Sequence, residues 1–164
     1  NNKDFDVFIK NNTESISKDE NLFIKDISLF SPGLALGLYE TKTLDLYLEL
    51  IDDLLSSKKY LRIRETILRL ISSKSNDNNY YMIVLHLIIN SLIKKSSFYL
   101  LEKKYLETTL EKEKELINLI ISKKNALKLL NLNSKFDKDM NSAGLLNVNK
   151  SDIIINMFKD LCSV

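Results

Sequence analysis

The chain has 164 residues, and its 24 basic and 22 acidic side chains leave a net charge of +2. It contains three Gly, one Pro, one His, one Cys and no Trp, whereas Leu, Lys, Ile and Asn make up over half of it. A single Cys excludes an intramolecular disulfide framework and a Cys-rich zinc site. The chain is too apolar, at 45% hydrophobic residues, to be disordered throughout. No uninterrupted apolar run reaches the roughly 18 residues of a membrane span.

The length and the periodicity of the chain predict its fold class. Domains commonly contain about 100–150 residues, so residues 1–164 are expected to form one domain. Val and Thr are scarce, and no alternating apolar and polar run indicates a strand. We predict an all-α fold: a single-domain bundle of six or seven helices around an apolar central helix at about residues 80–95.

Two helices are predicted near the N-terminus. Apolar residues at helical spacing indicate a first helix over about 3–15. Ser17 and Glu20 have the spacing of a capping box, in which a hydroxyl and a carboxylate bond to free N–H groups at a helix start. We expect Pro32 and Gly33 to end the second helix, because Pro lacks an N–H and Gly adopts left-handed backbone angles at little cost.

The next segment combines two glycines with a long apolar stretch. Gly33 and Gly37 predict a connection with a tight backbone feature, which packs its leucines on the core. Two helices, over about 41–56 and 59–73, account for the Leu- and Ile-rich stretch that follows. Residues 72–79, SSKSNDNN, are predicted to be a loop.

The second half of the chain is predicted to contain the central helix. Residues 80–93 are apolar on nearly all sides, which is typical of a helix that is buried on every face, and this run is too short to span a membrane. We expect a break near Ser96 and then a long helix over about 98–131 with a solvent-exposed charged middle. The apolar stripe that this helix would turn inwards consists of Leu101, Tyr105, Leu116, Ile120, Leu127 and Leu130. Residues 131–150 are predicted to be a connection with one helical turn, after which Asn149 caps a last helix.

The chain shows no recognisable catalytic or metal-binding motif. His86 is the only histidine, so we interpret it as a core histidine with a satisfied N–H, with Ser-His-acid catalysis as the alternative. Carboxylates in residues 45–53 and 107–115 lack the EF-hand and Glu-x-x-His spacings and are interpreted as solvated helix faces. The Lys doublets, such as 94–95 and 123–124, are interpreted as solubilising because Arg is scarce. We therefore predict no cofactor, no metal ion and no nucleic-acid partner.

Three residues are candidates for a partner or dimer surface. Leu46 and Leu50 lie off the main apolar stripe of their predicted helix, and they would mark such a surface if they are exposed. Cys162, close to the C-terminus, could form an intermolecular disulfide and so a covalent homodimer. The alternative for Cys162 is a half-buried thiol on the last helical turn.

The segments NNKDFDVFIKNN and KKYLETTLEKEKELINLIISKKN, in a Trp-free chain rich in Lys, Asn, Ile and Leu, carry a family resemblance. In its composition and in these segments, the chain resembles the small plasmid-encoded exported lipoproteins of Lyme-disease spirochaetes, both the EppA/BapA-like group and the helical complement-regulator-acquiring proteins. The resemblance implies a lipid-bearing cysteine upstream of Asn1, and contact with the membrane only through that anchor. It implies display on the outer surface and no catalysis.

Three functions are weighed from the sequence. The first is a lipid-anchored surface domain that binds an unidentified protein, such as a host serum or matrix protein, or serves cell-surface biology. The second is an intracellular helical adaptor, similar to a Bcl-2-like decoy, with a groove for an amphipathic partner helix. The chain lacks the Trp of that family's Asn-Trp-Gly-Arg signature. The third is a small enzyme, which the scarcity of catalytic motifs makes the least favoured.

Overall fold

The computed structural model describes residues 2–13, 15–72, 78–143 and 148–163. It is 81% helical with no strand in the described part of the chain, which confirms the all-α prediction. The described residues form nine helices, more than the six or seven predicted. These helices are α1 (Asn2–Asn12), α2 (Lys18–Ser28), α3 (Pro32–Glu40), α4 (Thr43–Leu55), α5 (Lys59–Ser72), α6 (Asn78–Glu102), α7 (Glu111–Ile121), α8 (Ala126–Ser142) and α9 (Lys150–Cys162).

Helix α6 is the centre of the bundle, as the sequence predicts. It packs against α2, α5, α7, α8 and α9. The surrounding helices also pack on one another in pairs, chiefly α2 on α3, α4 on α5 and α8 on α9. One apolar core joins all nine helices, because each contributes fully or partly buried side chains to it. The predicted loop at residues 72–79 lies largely outside the described residues, since the description stops at 72 and resumes at 78.

The predicted start of α2 is confirmed, whereas its predicted end is wrong. The Ser17 hydroxyl accepts a hydrogen bond of 3.1 Å from the backbone N–H of Glu20. The helix ends earlier than predicted, at Leu29, which itself adopts the left-handed conformation. Pro32 does not end a helix but begins α3, because its missing N–H is one that has no intrahelical partner at this position. Gly33 is in that same helix and has no positive φ.

The predicted tight feature at the glycine pair is a close approach of the Tyr80 ring to Gly37 rather than a turn. Gly37 lies in α3, and a Cβ built there would stand 3.2 Å from Cε2 of Tyr80 on α6. Gly33 has open space around the same position. The absence of a side chain therefore matters at Gly37 and not at Gly33.

We expect Gly37→Val to destabilise the protein by about 1–3 kcal/mol, because the added atoms must displace the Tyr80 ring. Gly33→Val is the matched control, with an expected change within about 0.5 kcal/mol because its side chain enters open space. Urea unfolding of the two variants measures both effects. Equal effects at the two glycines would contradict the close approach.

Helix α6 differs from its prediction in two respects, its C-terminal end and the exposure of one face. It continues through Ser96 to Glu102, because Ser96 is buried against the core and the residues after it keep the helical pattern. It is also not buried on every face, since Ile83 is 55% exposed. By length and composition alone, the segment Asn79–Glu102 could cross a membrane, and about half of it is buried inside this fold. The apolar core helix of a globular bundle meets the same criterion.

The single helix predicted over 98–131 is in fact interrupted twice. Lys103 adopts a positive φ of 56°, and the chain is not helical again until α7; a second interruption separates α7 from α8. Each interruption resets the direction in which side chains point, so one periodic stripe cannot describe the whole segment. Three leucines that the stripe places inside are therefore exposed: Leu101, Leu127 and Leu130.

The predicted connection at 131–150 is also wrong, because helix α8 extends to Ser142. Its polar, Asn-rich sequence has a weak helix propensity, but Leu129, Phe136 and Met140 are buried at helical spacing. Tertiary burial of these residues stabilises a helix that propensity alone does not favour. The last helix is as predicted, and the Asn149 side chain accepts a hydrogen bond of 3.0 Å from the N–H of Ser151.

Candidate functional site

A buried ion network connects three helices beneath the surface of the bundle. The ammonium of Lys95 on α6 lies 2.9 Å from a carboxylate oxygen of Asp26 on α2 and 2.8 Å from one of Glu113 on α7. The Lys95 and Glu113 side chains are 2% and 0% exposed. With all three groups ionised, two negative charges and one positive charge share a site from which water is largely excluded.

Further hydrogen bonds hold the two carboxylates. Glu113 accepts from the Tyr47 hydroxyl and, at 2.6 Å, from the backbone N–H of Leu110. Asp26 accepts from the Ser91 hydroxyl and, at 3.4 Å, from that of Thr108. Buried charges are tolerated in proteins when they are paired and hydrogen-bonded in this way.

The local sequence explains why these side chains lie inside. Glu113 is the third residue of α7, from which its carboxylate reaches back to the N–H of Leu110 at the helix start. Lys95 lies seven residues after Ile88 and three after Leu92, which places it on the same buried face of α6. The sequence alone does not predict this network. Lys95 belongs to a Lys doublet that is interpreted as solubilising, and Glu113 lies in the charged segment that is interpreted as solvent-exposed. The spacing of Lys95 from Ile88 and Leu92 is the signal in the sequence that indicates a buried lysine.

Tyr47, which donates to Glu113, is a buried group whose ionisation is opposed. Burial raises the pKa of Tyr47 well above its usual value, and the nearby Glu113 carboxylate raises it further. A group with a raised folded-state pKa contributes stability below its unfolded pKa, and this contribution is lost as the pH rises. Tyr47 therefore contributes stability below about pH 10 that declines above it.

We expect Tyr47→Phe to reduce the loss of stability above pH 10 by up to about 1.4 kcal/mol per pH unit, the slope that one titrating group contributes. At neutral pH the variant is destabilised by about 1–3 kcal/mol, because Glu113 loses a hydrogen bond. Unfolding free energies of the two proteins measured from neutral to alkaline pH give the difference. Parallel curves would mean that Tyr47 titrates normally in the fold.

A groove lies directly above this network, between the end of α2, the exposed side of α6 and the segment before α7. Two adjoining depressions of about 470 and 110 Å³ form it, and they share Asp26, Leu29 and Lys94. We call this surface the α2–α6 groove; its lining residues are Lys25, Asp26, Ile27, Leu29, Phe30, Leu87, Asn90, Ser91, Lys94, Phe98, Lys104, Tyr105, Leu106, Glu107 and Thr108.

One face of α6 forms a long side of the groove with its middle part, from Leu87 to Phe98. Successive members of this face are separated by three or four residues, which places them along one line of the helix surface. None of them is fully buried, and most are apolar. This α6 stripe consists of Ile83, Leu87, Asn90, Lys94, Phe98 and Leu101.

The opposite side of the groove is made by two residues with unusual backbone angles. Leu29 and Phe30 have φ values of 49° and 62°, so two consecutive large residues are in the left-handed conformation. Each such residue costs about 1–2 kcal/mol. The Leu29 side chain is nevertheless 66% exposed, and the Phe30 ring is partly exposed, with one edge-on contact to Phe5 at 5.3 Å. Strain of this kind is retained preferentially at functional sites.

The ionised groups at the mouth of the groove are mainly basic. Lys25 is paired with Asp6 at 2.5 Å. Lys104 lies 5.9 Å from the centre of the Phe98 ring, and Lys94 stands in the middle of the α6 stripe. Glu107 is the exposed acidic residue of this lining.

The structure does not bring the predicted surface residues Leu46, Leu50 and Cys162 to such a surface. Leu50 and Cys162 are buried in the core, and Leu46 is half-buried against it. Leu46 and Leu50 were to mark a partner surface only if they are exposed, and Leu50 is not exposed. Leu50 is buried because α4 is rotated so that Tyr47, Leu50 and Leu54 all face the interior.

Cys162 is a buried thiol whose surroundings oppose formation of the thiolate. Burial raises the pKa of its thiol from 9.0 to about 11, although Lys59 and Lys124 nearby act in the opposite direction. Those two lysines donate to the last carbonyl groups of the chain's final helix, Lys59 to Cys162 at 3.3 Å and Lys124 to Ser163. An intermolecular disulfide would require this end of the helix to open.

We expect the Cys162 thiol of the native protein to react with an aromatic disulfide reagent at least about 100-fold more slowly than in urea, since its pKa is raised by about two units and it is buried. Spectroscopic assay of the released thiolate near pH 8 gives both rates. Similar rates in the two states would place the thiol on the surface and restore the covalent-dimer hypothesis.

The other sequence candidates have ordinary structural partners. His86 is half-buried, with its Nε2 3.1 Å from Asp137 and its ring against Phe136. In the first carboxylate cluster, Glu49 bonds to Arg69 at 2.6 Å, and the buried Asp53 accepts from Thr66. Among the described residues, no group of three or more His, Cys, Asp or Glu side chains is placed to hold a metal ion.

Comparison with known proteins assigns no family to the chain. No family model matches it, and neither the curated proteins nor the solved structures include a significant match.

Proposed function

We propose that the protein is a non-catalytic binding domain at the cell surface, which holds a protein partner in the α2–α6 groove. One observation carries the binding role: Leu29, Phe30 and the part of the α6 stripe from Leu87 to Phe98 line two adjoining depressions that are open to solvent and mainly apolar. Folded monomers seldom expose contiguous apolar patches of this kind unless something binds to them. A host serum or matrix protein is the class of partner that we propose.

The buried network supports a binding role rather than catalysis. Lys95 donates to both carboxylates and, at 3.2 Å, to the carbonyl of Thr108, so its three donors are engaged. Asp26 and Glu113 are likewise hydrogen-bonded within the fold. The network therefore fixes α2, α6 and α7 relative to one another below the groove, which gives a partner a preformed surface.

The proposed location is supported by the resemblance to exported spirochaete lipoproteins. That resemblance implies a lipid anchor upstream of Asn1 in this chain, which would make the contact with the membrane. An intracellular adaptor for an amphipathic helix is the second candidate, and the shape of the groove favours it equally. The two candidates differ in compartment rather than in the surface used.

The binding role can be tested by presenting the purified protein with a panel of serum and extracellular-matrix proteins. Leu29→Asn removes the apolar side chain but keeps the left-handed backbone, which Asn tolerates. Leu127→Asn is the matched control, because both leucines are 66% exposed and Leu127 lies outside the groove. We expect saturable binding of a panel member that Leu29→Asn weakens at least about tenfold, the effect of one lost apolar contact, and Leu127→Asn leaves unchanged.

Two results would contradict this proposal. Saturable binding to no member of the panel would remove the host-binding role, and equal binding by both variants would move the site away from the groove.

Location is tested separately by the mass of the native N-terminal peptide from the source cells. An acylated cysteine upstream of Asn1 supports surface display, whereas an unmodified Met start supports the intracellular adaptor.

A further inference from the structure

We infer that the occupant of the α2–α6 groove is an amphipathic helix of a partner protein, which presents a carboxylate to Lys94 between its apolar side chains. This inference rests on the proposed function and names the chemistry of the partner. Three features of the groove lead to it: its length, the order of apolar and polar groups along it, and the sign of its charge.

The dimensions of the groove fit a helix. The part of the α6 stripe that lines the groove, from Leu87 to Phe98, extends about 16 Å at 1.5 Å per residue, which is close to three helical turns. Leu29 lines both depressions, and Phe30 lines the one that contains Lys94 and Phe98, so the two residues form a wall across from this part of α6. A helix that lies between the wall and the stripe would insert apolar side chains at intervals of three and four residues.

The order of groups along the stripe predicts the pattern of the occupant. Leu87 and Phe98 are apolar, and Asn90 and Lys94 lie between them. An occupant therefore needs polar side chains at the centre of its apolar face, with apolar side chains on each side of them.

The charge of the groove favours an acidic occupant. No ion pair with Lys94 or Lys104 occurs in the described part of the chain, whereas Lys25 at the same mouth already pairs with Asp6. Covering Lys94 with a wholly apolar face would remove an ammonium from water without compensation. A carboxylate in the occupant supplies that compensation.

A second copy of this chain fits less well. Two copies that meet through this face would bring together the same lysines, and like charges across an interface oppose association. A flat anionic membrane would meet Lys94 and Lys104, but it would not enter the concave space between Leu29 and α6. A separate partner that carries acidic groups satisfies both the shape and the charge.

The experiment uses the full chain and a display library of helix-forming 18-residue peptides. The library fixes leucines at helical spacing and varies the remaining positions among Ala, Glu and Lys. We expect selection on the wild-type protein to enrich Glu at the centre of the apolar face. The selected peptide and its Glu→Lys counterpart are then compared by fluorescence anisotropy, with an expected preference of at least about fivefold for Glu.

Charge reversal identifies the residue responsible. Lys94→Glu is expected to reverse the preference between the two peptides, whereas Lys128→Glu, an exposed change on α8, should leave it unchanged. Leu29→Asn should weaken both peptides by a similar factor. Circular dichroism of each variant verifies that the fold is retained.

The other outcomes separate this inference from the proposed function. Binding that depends on Leu29 but is equal for both peptides keeps the groove as a binding site and overturns the assignment of a carboxylate. Enrichment of no peptide overturns the helical occupant, although the serum and matrix panel can still succeed. A dimer in sedimentation that depends on Lys94 would mean that the occupant is a second copy of the chain. Binding to phosphatidylglycerol vesicles that depends on Lys94, without peptide binding, would mean that the groove faces a membrane.

Discussion

Lys95→Met is expected to destabilise the protein by about 3–5 kcal/mol, one of the two largest effects predicted for a single substitution. Methionine fills nearly the same space, so the effect arises from charge rather than from packing. Asp26 and Glu113 would remain in a buried site without the ammonium that now lies within 2.9 Å of both. Urea unfolding of the variant at neutral pH measures the loss.

Lys94→Met is the control for this prediction, because the same substitution is made one residue away. Lys94 is exposed, so we expect its change to be within about 0.5 kcal/mol. Asp26→Asn should destabilise the wild type and partly rescue Lys95→Met, since it removes one of the two unpaired negative charges. Similar effects of the two lysine substitutions, or no rescue, would show that the ion network does not stabilise the fold.

Ile88→Ala is expected to destabilise the protein by about 2–5 kcal/mol, because it opens a cavity where α6 packs against its neighbours. Ile88 is 0% exposed and belongs to the single apolar core of the bundle. Ile83→Ala is the matched control, on the same helix and with the same atoms removed. Ile83 is 55% exposed, and we expect a change within about 0.5 kcal/mol.

The comparison of Ile88 with Ile83 tests the orientation of α6 and so the existence of the α6 stripe. Thermal and urea unfolding should both show the large difference between the two variants. A large loss for Ile83→Ala would mean that this face is covered in the folded protein, which would remove the exposed side of the groove. Equal small losses would contradict the position of α6 at the centre of the bundle.

The starts of α2 and α9 were predictable because their signals are local. Ser17 and Asn149 each bond to an N–H two or three residues further along the chain, so the sequence specifies the contact without reference to the rest of the fold. Helix ends were less predictable. The end of α2 depends on left-handed angles at Leu29 and Phe30, which no local preference of these residues suggests.

The site was not predicted because its members are distant in the sequence. Asp26, Lys95 and Glu113 meet only after α2, α6 and α7 have packed, and each alone resembles an ordinary surface charge. The buried spacing of Lys95 with Ile88 and Leu92 could have suggested an interior lysine. It could not have identified the two carboxylates that accept from it.

The amino-acid pattern by itself determined that the chain folds as an all-α bundle, with the most apolar segment as its central helix. Apolar spacing and helix caps act within a few residues, and they are sufficient for these features. Only the tertiary structure decided which face of α6 stays in solvent and which charges are buried. Those outcomes depend on how the nine helices of the described residues share one core, because rotation of a helix by a single residue, about 100°, brings a different face to the interior.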